Sequence, residues 1–122
     1  MEQKADVTWK IFGMYMLILL LMIWAGTAKA QMKLAVFNAE WNSNNDVRDW
    51  AFSMDDIQTY VYVDINGQKD MQKKHKIGVI PTIIIFKDDE EVARFQADLS
   101  FKMLATKEEV QEEISNQLMS DF

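Results

Sequence analysis

The chain has 122 residues, a net charge of −6 and no cysteine. That length suggests one domain, and the missing thiol excludes every cysteine-based mechanism for the chain acting alone. The acidic surface repels phosphate backbones, so nucleic acid is not an expected partner; the same charge also serves solubility.

The first 30 residues differ from the rest. Lys4 and Lys10 flank a mostly polar start, and the uncharged run Ile11 to Ala25 follows, then Gly26-Thr27-Ala28-Lys29-Ala30. Ala28-Lys29-Ala30 has the small-residue pattern that a signal peptidase cleaves, although Glu2 and Asp6 dilute the positive start. The competing reading is an uncleaved signal anchor, because the uncharged stretch from Ile11 to Ala28 is 18 residues long, at the short end for crossing a bilayer. Residues 1–30 are thus expected to be a signal peptide or an uncleaved signal anchor, the membrane being met only through them. Residues 31–122 are expected to be an exported domain, periplasmic or extracellular. This part keeps 10 basic and 17 acidic side chains, a net charge of −7. Its length suffices for one modest core.

Met32 to Asn38 is short and apolar and reads as a buried strand. Asn42 to Asn45 are cap-type residues, and Val47, Trp50, Ala51 and Met54 then fall on one face of a helix ending near Asp55-Asp56. Thr59 to Ile65 is β-branched and aromatic, a second strand broken by Asn66-Gly67. Gln68 to Lys76 reads as a short polar helix carrying Met71, with Gly78 near its C-cap. Thr82 to Phe86 is apolar throughout, a central third strand, and Lys87 to Glu91 make a charged turn. From Ala93 to Met103 apolar and polar residues alternate strictly, which predicts one long half-buried strand or a strand broken by a bulge. Thr106 caps a last helix, with Glu109 placed as in a capping box; Val110, Ile114 and Leu118 form its buried stripe. Glu108, Glu109, Glu112 and Glu113 make a solvated face. The order is β-α-β-α-β-β-α. The first two strands are expected to be parallel through a right-handed crossover, and the last two an antiparallel hairpin.

Catalytic sets are scarce. His75 is the only histidine and lies in Lys73-Lys74-His75-Lys76, where cations repel a metal; it reads as a solvated surface residue. A serine nucleophile has no base on a neighbouring segment. No catalytic residue, metal ligand or cofactor is expected.

Two local sequences, on this order of elements, resemble the thioredoxin family. Val36-Phe37-Asn38-Ala39-Glu40-Trp41, followed by Asn42-Ser43-Asn44-Asn45, looks like the family stretch that ends in A-x-W-C-x-x-C. Lys76 to Lys87, K-I-G-V-I-P-T-I-I-I-F-K, is close to the family's Gly-Val, hydrophobic, Pro-Thr and apolar strand. Val63-Asp64-Ile65 falls where the family has a strand ending in an Asp-containing turn. The resemblance runs from about Lys33 to Leu118. It implies an α/β thioredoxin-like fold: a four-stranded mixed sheet of order 2-1-3-4, flanked by helices. It also implies a cis Ile80–Pro81 bond.

Three departures stand out against that pattern. Asn42 and Asn45 occupy both cysteine positions of the motif, Val36 stands where the family has a buried acid, and the helix after the motif is about two turns shorter than usual. One reading of the asparagines is a capped helix start, with Asp46 favourable in the first turn. The other is a binding surface. In the family the backbone beside the cis proline pairs with an extended peptide, and the Trp next to the motif lines the groove, a mode that needs no thiol. Trp41, Asn42, Asn45, Ile80 and Pro81 would form that surface here. The expectation is a redox-inactive domain that binds a protein or extended peptide segment. The alternative is a structural subunit of an envelope or particle assembly, using Ala93 to Met103 as an edge. Thiol–disulfide oxidoreductase activity is not expected, since fold alone does not carry function.

Overall fold

A computed structural model describes residues 30–120. Apart from Ala30, the segment expected to be a signal peptide or anchor lies outside the described residues. No helix among them is long and apolar enough to cross a membrane.

Four strands form one sheet: β1 (Met32–Asn38), β2 (Thr59–Asp64), β3 (Thr82–Lys87) and β4 (Glu90–Gln96), in the spatial order β2-β1-β3-β4. β1 runs parallel to β2 and antiparallel to β3, and β3 pairs antiparallel with β4. β1 and β3 are central because both of their faces are apolar and both are covered. On one face Leu34, Val36, Ile83 and Ile85 pack against Val47, Ala51, Val110 and Ile114. On the other, Ala35, Phe37, Val63, Ile84 and Phe86 pack against Ile77 and Ile80.

The helices are α1 (Arg48–Ala51), α2 (Lys69–Lys74) and α3 (Lys107–Met119), and a 3-10 helix, Glu40–Asn45, precedes α1. The expected helix through Met54 is therefore shortened, although Val47, Ala51 and Met54 are buried as its spacing implies. Tyr60 explains the early stop. Its hydroxyl donates to the Met54 carbonyl and accepts from the Met54 amide, both at 2.9 Å, replacing helical partners. Arg48 closes this corner by lying 3.8 Å above the Tyr62 ring and pairing with Asp46 at 2.6 Å.

The left-handed residue ending α2 is Lys76, with φ of 53°, not Gly78. The Lys76 amide donates to Lys73 O and the Ile77 amide to Gln72 O, the paired bonds of a Schellman motif. Arg94 reaches across from β4 and donates to the carbonyls of His75 and Lys76. Far from being a solvated surface residue, His75 is half-buried, with its ring 5.4 Å from that of Phe37 and 5.5 Å from that of Phe86. The lysines beside it in sequence disfavour a metal, and the ring packs like an aromatic side chain.

The β3–β4 turn is tighter than the charged run suggests. Asp88 and Asp89 both have positive φ and alone connect Lys87 to Glu90, the backbone of a two-residue hairpin. The predicted long alternating strand is corrected by the structure. β4 stops at Gln96, and the chain reverses through Asp98 to Lys102, leaving only an isolated bridge between Ala97 and Met103. Asp98 is the physical cause: Oδ1 accepts from the Ser100 amide, the Ser100 hydroxyl and the Lys102 amide. Phe101 takes a left-handed backbone at φ 65° to complete the turn. Alternation survives at both ends of the segment, which is why the sequence pattern resembles one strand.

Candidate binding site

β1 delivers Asn38 to the end of the sheet, and the 3-10 helix starts two residues on. Neither helix start here is capped by an asparagine side chain. The position before the 3-10 helix is Ala39, that before α1 is Val47, and neither makes a side-chain cap. Asn42 instead turns inward and is only 5% exposed. Its Nδ2 donates to Asn38 Oδ1 at 3.1 Å and to the Phe101 carbonyl at 3.3 Å. Its Oδ1 accepts from Asn45 Nδ2 at 2.9 Å. Asn38 Nδ2 completes the set on the Asn42 carbonyl at 3.4 Å. The cap reading of these residues is thus replaced by a buried carboxamide network. Burial demands it, since an unpaired amide there costs about 1–3 kcal/mol. The helix-start duty falls to Asp46, whose Oδ1 accepts from the Arg48 amide at 3.0 Å.

The network has an outward consequence. By holding the Phe101 carbonyl, Asn42 sets the Phe101 ring edge-on to Trp41, with centroids 5.1 Å apart at 89°. Trp41 is 59% exposed and Phe101 40%. Leu99, in the same turn, is 91% exposed. Three large apolar side chains therefore stand in solvent, one on the 3-10 helix and two on the turn beside it. Ser43 and Asn44 are exposed beside them, and no hydrogen bond of their side chains contributes to the network.

Ile80 and Pro81 lie at the start of β3, and the bond between them is cis. Both side chains are buried. The Pro81 carbonyl accepts from Ala97 N at 3.0 Å, and the Thr82 hydroxyl donates to the Val79 carbonyl at 2.7 Å. Among the described residues the Ile80 N–H and C=O make no hydrogen bond. The segment from Ala97 to Phe101 thus joins the two halves of the expected surface, touching Pro81 at one end and Asn42 and Trp41 at the other. A groove of about 540 Å³ opens next to Asn45, lined by Val47, Trp50, Met103 and Thr106 among others; Trp41, Ile80 and Pro81 do not line it.

Asn38 and Phe101 lie outside the surface expected from the sequence. Asn38 carried a signal, a carboxamide ending an apolar strand next to the motif. Phe101 carried none, because it sat in the alternation that read as strand.

Solved structures of the same architecture include a mutant thioredoxin from Halobacterium salinarum NRC-1, at a TM-score of 0.56 and 18% identity, covering 72% of this chain and 75% of that one. The thioredoxin of Schistosoma mansoni matches at 0.54 and 21% identity, covering 79% and 85%. That of Fasciola hepatica matches at 0.52 and 21%, covering 79% and 89%. The chain has a thioredoxin-like fold. No family model and no curated protein matches the sequence. In this thioredoxin-like fold the chain holds no cysteine, so thiol–disulfide exchange has no nucleophile. Val36 is fully buried in the core, in the packing of β1.

Proposed function

We propose that this thioredoxin-like domain is exported and redox-inactive, and works by binding a protein or extended peptide segment next to the Ile80–Pro81 turn. The observation that carries this reading is the solvent-exposed Trp41–Phe101 pair, held over a saturated asparagine network rather than over a reactive thiol. Exposed apolar surface that buried hydrogen bonds hold in place is the usual make-up of a recognition site. The free N–H and C=O of Ile80 offer a short stretch for strand-like pairing, which supplies affinity through main-chain hydrogen bonds. Trp41 and Phe101 then provide the apolar contact. Asn42 and Asn45 act from beneath, since their amide groups already serve each other, Asn38 and Phe101.

The experiment is a peptide array probed with the purified chain and with its Trp41→Ala variant. Retained peptides are expected to be extended and apolar, and Trp41→Ala to weaken them by on the order of 30-fold, the loss of an aromatic hot spot of about 2 kcal/mol. Equal retention by wild type and variant would remove Trp41 from the site.

A further inference from the structure

We propose that β2 is an interaction edge whose partner is β2 of a second copy of this chain, the two strands running antiparallel about a two-fold axis at Val61. Among the described residues β2 pairs only with β1, so one side of its backbone is open. Its sequence is Thr59-Tyr60-Val61-Tyr62-Val63-Asp64, with no lysine, no proline and a regular register throughout. Lysines, prolines and bulges are the devices that normally blunt an edge, and β2 has none of them.

The other edge strand is protected. β4 starts with Glu90 and Glu91, carries Arg94, and contains a register shift opposite Ile85 and Phe86. The Val92 carbonyl in β4 accepts from Gln117 of α3. Among the described residues one edge of the sheet is guarded and the other is not.

The second copy is chosen by the sequence of β2 itself. Tyr-Val-Tyr reads the same in both directions, and Thr59 and Val63, which flank it, are both β-branched and nearly equal in shape. A two-fold axis perpendicular to the sheet keeps each residue on its own face. Centred on Val61 it places Val61 opposite Val61, Tyr60 opposite Tyr62 and Thr59 opposite Val63 of the other copy. Aromatic and β-branched cross-strand pairs are the favourable ones. Asp64 falls opposite Gln58, so no like charges meet. A register centred on Tyr60 would oppose Asp64 to Asp56 instead, two acids. The faces also agree: Tyr60 and Tyr62 pack on the core that α1 covers, Val61 on the other. Such an isologous contact closes, because it uses both open edges and leaves only the guarded β4 edges outside.

The natural absence of cysteine makes the test direct. Val61→Cys, Thr59→Cys and Glu90→Cys are made singly in the full chain, in detergent, with folding checked by circular dichroism, and oxidised mildly. Opposed residues on paired antiparallel strands have Cβ atoms about 4.5–5.5 Å apart, close to disulfide range. Residue 59 lies about 13 Å from its own counterpart in this register. V61C is therefore expected to form the covalent dimer on the order of tenfold faster than T59C or E90C, since a held pair reacts at a high effective concentration. Equal rates for all three would mean random collision and overturn the proposal, as would a fastest rate for E90C. Should V61C fail to fold, the mass of the unmodified chain by sedimentation decides: two chains per particle are expected, and a monomer at every concentration overturns the pairing.

Discussion

Asn42 shows how one side chain can change its job when its surroundings change. On the sequence it reads as a cap, because asparagine is among the best residues for that position. In the fold it is buried between Asn38, Asn45 and the Phe101 carbonyl, and every polar atom of its amide is used. Asn42→Ala leaves Asn38 Oδ1 and the Phe101 carbonyl without that donor. The expected cost is about 1–3 kcal/mol, read as a lower urea midpoint with an unchanged slope. No change in midpoint would mean that the network does not stabilise the fold. His75 is the second residue whose role burial decides. Its neighbours in sequence are cations, but its ring lies against Phe37 and Phe86.

At the scale of elements, α3 is the clearest case of local code. Thr106 Oγ1 accepts from the Glu109 amide at 3.2 Å, as the Thr-x-x-Glu spacing implies. Val110 and Ile114 are fully buried beneath it. Thr106→Ala is expected to cost about 1 kcal/mol in chemical denaturation. A loss below a few tenths would show that tertiary packing alone fixes the helix start. The segment after β4 is the opposite case. Period-2 alternation runs from Ala93 to Met103, yet Asp98 accepts three hydrogen bonds and folds the middle back on itself. A pattern of apolar and polar residues records which side chains find the core, not whether the chain is straight between them. α1 is cut short for a related reason: its apolar spacing is real, but Tyr60 from β2 takes the backbone groups of Met54 that would have continued the helix.

The whole molecule should lose stability in acid in two stages. Burial, reinforced by Lys74, holds the His75 imidazole below the ordinary histidine value of 6.5. As pH falls through 6.5 the unfolded chain takes up a proton that the folded chain refuses, so stability declines from there down to the folded value. Glu91 is held below its ordinary 4.5 by hydrogen bonds from Arg94, against the effect of burial. Burial works to raise Asp46, but its bonds to Arg48 outweigh it and keep the carboxyl below 3.8. Both carboxylates contribute stability above their ordinary values and lose it as pH falls through the folded ones, a second stage below about pH 4.5. Urea midpoints measured across pH test this. His75→Gln is expected to remove the first stage and leave the second; a curve unchanged by the substitution would assign the first stage elsewhere.

The sheet is legible in the amino-acid pattern. The bounds of β1, the start of β3, the parallel first pair and the closing hairpin follow from apolar runs and short connections, and the strand order 2-1-3-4 is what the Gly-Val-Ile-Pro-Thr resemblance implies. That the motif positions hold no thiol is legible there too. What the asparagines do, where the long alternation breaks, and that Phe101 stands against Trp41 emerge only in the folded chain. The first and the last depend on partners 59 or 60 residues away in the chain, such as Asn42 and the Phe101 carbonyl, while the break is local, made by Asp98 with Ser100 and Lys102. A local pattern reports burial, whereas a hydrogen bond across the sheet exists only once the sheet has brought its two ends together.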